Sequence, residues 1–440
     1  MKIILTFCFI FLTSIGIFAQ EGFQFTTSKS RVKLPFKLVN NLIILPIKVN
    51  GIELNFLVDT GVEETILFSL DDKKEVPLYN VEKIKLIGLG TQKPIEGLKA
   101  FKNTLSVSGL EYKNQEIVIV LDQEFNFSST LGIEVNGIIG YHFFSHNIVK
   151  IDYNKKKIFL YNPQKWKKDK ILSKFEAVPF TLEKAKPYTT MQVELGNEFF
   201  DAKCLIDSGN SDGLWLFESE SKSIIVPKRN FDDYLGRGFS GDVYGKKGKV
   251  STLVLKNYQF DDVIAAFPDS LSLNNLRMVD NRVGSIGGEV LKRFNVIFDY
   301  QNEMMYLKKN KYYKEKFRYN TTGITIHHAG LQWYKEEIPI TAFEVGHEGH
   351  YMDGNLKQLK YNFKLSPIYE ILTIRKNSPA EKAGLKIGDV IIKINDNRVY
   401  RMNLDKINRL LCADDQEELI LVVARNGMEI TYKFKVFDLL

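Results

Sequence analysis

The sequence predicts a mostly β protein: two β-barrel lobes related by a pseudo-two-fold axis, followed by a smaller α+β domain. Three observations predict it. Two strand-like apolar runs each end in an aspartate, a hydroxyl residue and a glycine. These are Phe56-Leu57-Val58 before Asp59-Thr60-Gly61, and Cys204-Leu205-Ile206 before Asp207-Ser208-Gly209. Glycine landmarks downstream of each run repeat in step, so one half of the chain copies the other. The final stretch carries an unrelated pattern of a short helix, a Gly-Asp turn and closing strands. The implied boundaries are 30–163 and 176–309 for the lobes and 320–440 for the last domain. A length of 440 residues suits about three domains.

The chain opens on Met1-Lys2 and an almost wholly apolar run from Ile3 to Phe18, with Ala19-Gln20 as a cleavage point. This reads as a signal peptide over 1–19. The run is short for a membrane span. Export is therefore expected, to a periplasmic, envelope-associated or secreted location. Alternating runs such as Ile43 to Val49 and Glu116 to Val120 read as strands.

An aspartate closing a buried strand is costly unless something uses it. Two such aspartates suggest a paired-carboxylate site at Asp59 and Asp207. The repeat supports the pairing. Gly90 and Gly238 stand as far apart as the two aspartates do, and so do Gly97 and Gly245. Gly137-Ile138-Ile139-Gly140 matches Gly284-Ser285-Ile286-Gly287 with one residue less between them, as Asp152-Tyr153 matches Asp299-Tyr300. Pro35-Phe36 resembles Pro179-Phe180, with a connecting hairpin about four residues longer in the second copy. Short helices are expected after Gly140 and Gly287, turning Phe143-Phe144 and Val290-Leu291 inward.

From Lys33 to Lys309 this ordered set resembles the aspartic peptidases of the retropepsin-like and pepsin-like superfamily. Each half shows a hydrophobic-hydrophobic-Asp-[Thr/Ser]-Gly element, a glycine-rich flap tip and a hydrophobic-hydrophobic-Gly element. The flap tips fall at Ile87–Thr91, with Gly88 and Gly90, and at Leu235–Phe239, with Gly236 and Gly238. Ser285 departs from the pattern, standing where an apolar residue is usual. The resemblance implies an aspartic-type endopeptidase with Asp59 and Asp207 as a proton-sharing catalytic dyad. One carboxylate takes a proton from a bound water while the other, protonated, polarises the scissile carbonyl, and the titration belongs to the pair. Thr60 and Ser208 would hold the two loops, and Gly61 and Gly209 would let backbone approach the carboxylates. The flaps would close over a peptide. A dyad completed within one chain makes a dimer unnecessary for catalysis. Two flap-like hairpins suggest a duplicated retropepsin-type half.

Ser378 to Asn395 resembles the signature of bacterial PDZ domains, a resemblance covering roughly Gly323 to Leu440. Pro379 opens a short helix, Gly384 ends it, and Gly388-Asp389 turns into a strand. Leu404 to Leu411 reads as a second helix, with strands at Leu419–Ala424 and Thr431–Val436. The resemblance implies capture of an extended peptide or protein C-terminus by strand addition. Gly330 and Leu331, in an Ala-Gly-Leu loop, are the candidates for cradling its carboxylate. Gln332 to Ser366 exceeds a compact PDZ domain and reads as an excursion.

Other chemistries are disfavoured. The net charge of +7 comes partly from lysine runs that read as hairpin turns and linkers, and no nucleic-acid motif accompanies them. His347-Glu348-Gly349-His350 lacks zinc-peptidase spacing, and His142 and His146 have no following acid of that kind. No metal or cofactor is expected. Of three cysteines, Cys8 lies in the leader, Cys204 beside Asp207 and Cys412 in the last domain, so a disulfide is not expected. Against the peptidase stand two other readings: a catalytically silent peptide-binding or scaffold protein using the cleft and PDZ groove, and a structural envelope protein.

Overall fold

The computed structural model describes residues 22–68, 75–86, 89, 94–122, 125–167, 171–238, 241–274, 276, 278–339 and 359–440. The leader expected at 1–19, and Gly88 and Gly90 of the first flap, lie outside the described residues. Among the described residues the strands form four sheets, of nine, eight, six and six strands. No helix among these residues is long and apolar enough to cross a membrane.

The first-half sheet is built around strand Ile52–Val58. It pairs antiparallel with Leu42–Val49 and parallel with Gly137–Ile139. The second half repeats this at Glu198–Ile206, antiparallel to Lys186–Leu195 and parallel to Arg282–Ile286. The ends of both central strands, Phe56-Leu57-Val58 and Cys204-Leu205-Ile206, are buried on both faces. Burial on both sides explains why these segments are continuously apolar rather than alternating.

A six-stranded sheet joins the halves. Its centre is Ile148–Asp152 against Phe294–Asp299, antiparallel, with Lys150 opposite Ile297. Outward from that joint lie Lys157–Tyr161 and Arg31–Pro35 on one side, Met304–Lys309 and Glu176–Pro179 on the other. Aromatic rings lock the seam. Phe144 from the first half meets Phe298 edge-on at 5.5 Å and stacks on Tyr300 at 5.3 Å. Such pairs add about 0.5–1.5 kcal/mol beyond the burial of their area. The helices at Tyr141–Phe144 and Gly288–Leu291 are one turn long and bury Phe143, Phe144, Val290 and Leu291.

The C-terminal domain has its own core, including Ile371, Ile394, Leu404, Ile407, Leu421 and Val423. Ser378 caps helix Pro379–Ala383 through its hydroxyl, and Gly384 closes it at φ +92°. Asp389 is clasped by both forks of Arg425, at 2.6 and 2.7 Å. Helix Leu404–Leu411 presents Leu404, Ile407 and Leu411 to the core. The excursion seen in the sequence is an extended hairpin, Ile324–Pro339 against Leu359–Ile374. Trp333 and Phe363 on it are more than half exposed.

This domain docks on both lobes. The Asn40 amide donates to Asp405 at 3.2 Å, and Asn408 Nδ2 donates back to Asn40 Oδ1 at 3.3 Å. The Arg375 guanidinium lies 4.1 Å over the Phe231 ring and 3.9 Å from Asp233, both in flap strand Asn230–Gly238. Lys249 Nζ donates to the Leu440 carbonyl at 3.3 Å.

Candidate active site

Each central strand delivers its aspartate to the seam between the lobes. The Asp59 amide donates to the Ile139 carbonyl at 3.0 Å and the Asp207 amide to the Ile286 carbonyl at 2.9 Å. Each aspartate is thereby fixed to the strand of its hydrophobic-hydrophobic-Gly element. That element needs its glycine. A Cβ on Gly140 would overlap the Val62 carbonyl, and one on Gly287 the Asp212 carbonyl.

Thr60 and Ser208 make four hydrogen bonds across the seam, two with each other and two with the opposite strand. The Thr60 amide donates to Ser208 Oγ at 3.1 Å, and the Ser208 amide to Thr60 Oγ1 at 2.9 Å. Thr60 Oγ1 donates to the Ile206 carbonyl at 2.6 Å, and Ser208 Oγ to the Val58 carbonyl at 2.9 Å. All six groups are satisfied out of water, so the two loops are held in one relative position.

The carboxylates meet inside this frame. Asp59 Oδ1 accepts from the Gly61 amide at 2.7 Å, and Asp207 Oδ1 from the Gly209 amide at 3.1 Å. A Cβ on Gly209 would overlap the Asp59 carboxylate. A Cβ on Gly61 would lie 3.0 Å from Asp207 Oδ1 and 3.1 Å from Asp59 Oδ1, so the two carboxyls converge on one point. Burial pushes Asp59 up to about 8, and the like charge of Asp207 adds to the effect. Burial also raises Asp207, while Arg282 opposes the rise. Two carboxyls so placed hold one proton between them near neutrality.

The structure brings Asp59, Thr60, Gly61, Asp207, Ser208 and Gly209 into one site. Of the residues expected in the second flap, Gly236 adopts φ +134° and Gly238 lies against the Leu89 carbonyl, so the second hairpin touches the first half at this residue. The loop expected at Gly330 and Leu331 is strand instead. Gly330 sits at a β-bulge with φ +125° and faces Ile368, and Leu331 faces Pro367. The positive φ absorbs an extra residue and lets pairing continue, so glycine here bends a strand rather than shaping a carboxylate loop.

Three residues near the dyad did not stand out in the sequence. Tyr300 is buried at the seam, and burial followed by the charge of Asp59 raises its hydroxyl well above the ordinary range. Arg282 and Lys186 both act electrostatically on Asp207, and Lys186 also on Asp59. Their only signal was position within the repeat. Cys204 is buried, and burial raises its thiol to about 12, as suits a small core residue.

Comparison with known protein families matches two segments of the chain. Residues 45–143 match the aspartyl protease family, and residues 370–425 match the PDZ domain family. No curated protein matches the chain. The chain therefore carries an aspartyl protease domain and a C-terminal PDZ domain.

Proposed function

We propose that this chain is an aspartic endopeptidase whose dyad is Asp59 and Asp207. The observation that carries the reading is the meeting of the two carboxyls across the lobe seam, both converging on Gly61 and held by the Thr60–Ser208 exchange. The ionised member takes a proton from a water between them, and the water oxygen bonds to the scissile carbonyl carbon. The protonated member donates to the carbonyl oxygen as it gains charge. The proton taken from water then passes to the leaving nitrogen, the C–N bond breaks, and a carboxylic acid and an amine result. No metal or cofactor enters these steps.

The PDZ domain supports peptide or protein binding, and its contact with the base of the second flap suits a role in positioning substrate. The leader-like start supports export, to a periplasmic, envelope-associated or secreted location. The test is cleavage of an unfolded protein and a peptide library from acid to neutral pH, beside an Asp59→Asn, Asp207→Asn double variant. Cleavage by the parent alone is expected. No cleavage by a demonstrably folded parent would favour the silent peptide-binding reading.

A further inference from the structure

Backbone register aligns the two halves of the cleft residue by residue. In the first lobe Ile44, Leu57, Ile138, Ile66 and Val118 stand side by side across five strands. In the second lobe the same row reads Tyr188, Leu205, Ser285, Trp215 and Ala266. Leu57 and Leu205 lie two residues before their aspartates, and strand side chains alternate with period two. Both rows therefore share the face that carries the carboxylates. Each row is buried beside its lobe's aspartate, and the two rows form opposite walls around the pair.

The walls differ in chemistry. The first-lobe row belongs wholly to one apolar cluster, which also contains Leu42 and Val135. At the matching positions the second lobe has Lys186 for Leu42, Tyr188 for Ile44, Arg282 for Val135 and Ser285 for Ile138. Arg282 runs up its strand toward the dyad. Its Nε donates to the Gly284 carbonyl at 3.1 Å, and its Nη2 donates to Ser285 Oγ at 2.8 Å. The guanidinium also lies 5.1 Å from the Phe217 ring centroid. Ser285, the departure seen in the sequence, is thus the anchor of a cation.

Among the described residues neither Arg282 nor Lys186 has a carboxylate within ion-pair distance. The nearby acid Glu183 is engaged by Lys203 at 2.6 Å. Asp207 feels both cations, but the dyad shares one negative charge between two carboxyls. Two cations facing one shared anion leave a positive surplus on the second-lobe wall. A partly desolvated guanidinium with donors to spare is matched by a planar carboxylate.

We propose that the second-lobe wall of the cleft is a selectivity pocket for an acidic side chain, with Arg282 as its specificity-determining residue and Lys186 in support, while the first-lobe wall takes an aliphatic side chain. The substrates are then peptides with Glu or Asp on one side of the scissile bond and an aliphatic residue on the other. This rests on the peptidase reading above, and the two can fail separately.

The experiment maps cleavage sites in a peptide library by mass spectrometry for the parent, Arg282→Gln and Arg282→Lys. It also measures binding of matched Glu and Gln peptides to the Asp59→Asn, Asp207→Asn protein, with and without Arg282→Gln. The parent should favour Glu over Gln at one flanking position by about tenfold to a hundredfold. Arg282→Gln should erase that ratio, and Arg282→Lys, which keeps the charge and loses the fork, should keep only part of it. Because Arg282 also acts on Asp207, absolute rates will move, but an effect on the dyad alone cancels in the Glu-to-Gln ratio. Cleavage or binding without acidic preference, or a preference that survives Arg282→Gln, overturns the pocket. Acid-selective, Arg282-dependent binding without cleavage upholds the pocket and overturns the peptidase.

Discussion

Replacing Asp59 by asparagine should make the folded protein more stable at neutral pH and not at acid pH. Burial and the neighbouring Asp207 raise Asp59 from 3.8 to about 8. A carboxyl whose folded value lies above its unfolded value binds its proton more tightly when folded. Folding then incurs no penalty from this group below about pH 4, and stability is lost progressively as pH climbs from about 4 to about 8. At 1.36 kcal/mol per pH unit, a lone group so shifted would cost roughly 4 kcal/mol at pH 7. Solvent entering the cleft and relaxation of the loops reduce this, so a gain on the order of 2 kcal/mol is expected. An asparagine can still accept from the Gly61 amide and gains an N–H₂ that can donate to Asp207. The assay is denaturation of parent and Asp59→Asn at pH 4 and at pH 7, following the lobe transition apart from that of the PDZ domain. Equal differences at the two pH values, or a less stable variant at pH 7, would refute the reasoning.

Further outcomes follow from the same frame. Thr60→Ala strips the Ser208 amide and the Ile206 carbonyl of their partner, so about 3 kcal/mol should be lost, with Thr60→Ser recovering most of it in denaturant titration. Gly209→Ala forces a methyl into the Asp59 carboxylate, so cleavage should fall by about a hundredfold or more while circular dichroism stays native-like. Arg293 is fully buried, pairs with Glu289 and donates to the carbonyls of Tyr312, Tyr313 and Glu315. Arg293→Ala should therefore cost about 4 kcal/mol and expose the 310–318 connection to limited proteolysis. Arg375→Ala removes the cation over Phe231, and hydrogen exchange should speed up at the base of the second flap, Phe231–Asp233, with little change in the PDZ core.

The pairing of the two aspartates and the PDZ helices were legible because their signals are local in sequence. Asp59-Thr60-Gly61 and Asp207-Ser208-Gly209 pack strand end, hydroxyl and glycine into consecutive positions, and their repetition supplied the pairing. The helix at Leu404–Leu411 announced itself by spacing alone. Gly330 misled because glycine serves both a loop and a bulge, and only pairing with Ile368 separates them. The role of Ser285 was visible as an exception but not as an anchor, since Arg282 gains its meaning from strand register. Arg375 on Phe231 could not be read at all, because it joins segments distant in sequence and belonging to different domains.

The six-stranded sheet at the lobe seam draws half its strands from each end of a single polypeptide. An enzyme assembled from two identical subunits must present rotated, identical copies of every wall, so any change that suits one side of the cleft is imposed on the other. Covalent fusion lifts that restriction. A mutation from an aliphatic residue to serine or from valine to arginine alters one wall and leaves its counterpart untouched, so the Ile138–Ser285 and Val135–Arg282 contrasts are open to a fused pair and closed to a homodimer. The shared seam keeps the two aspartates symmetric, while the walls are free to drift apart.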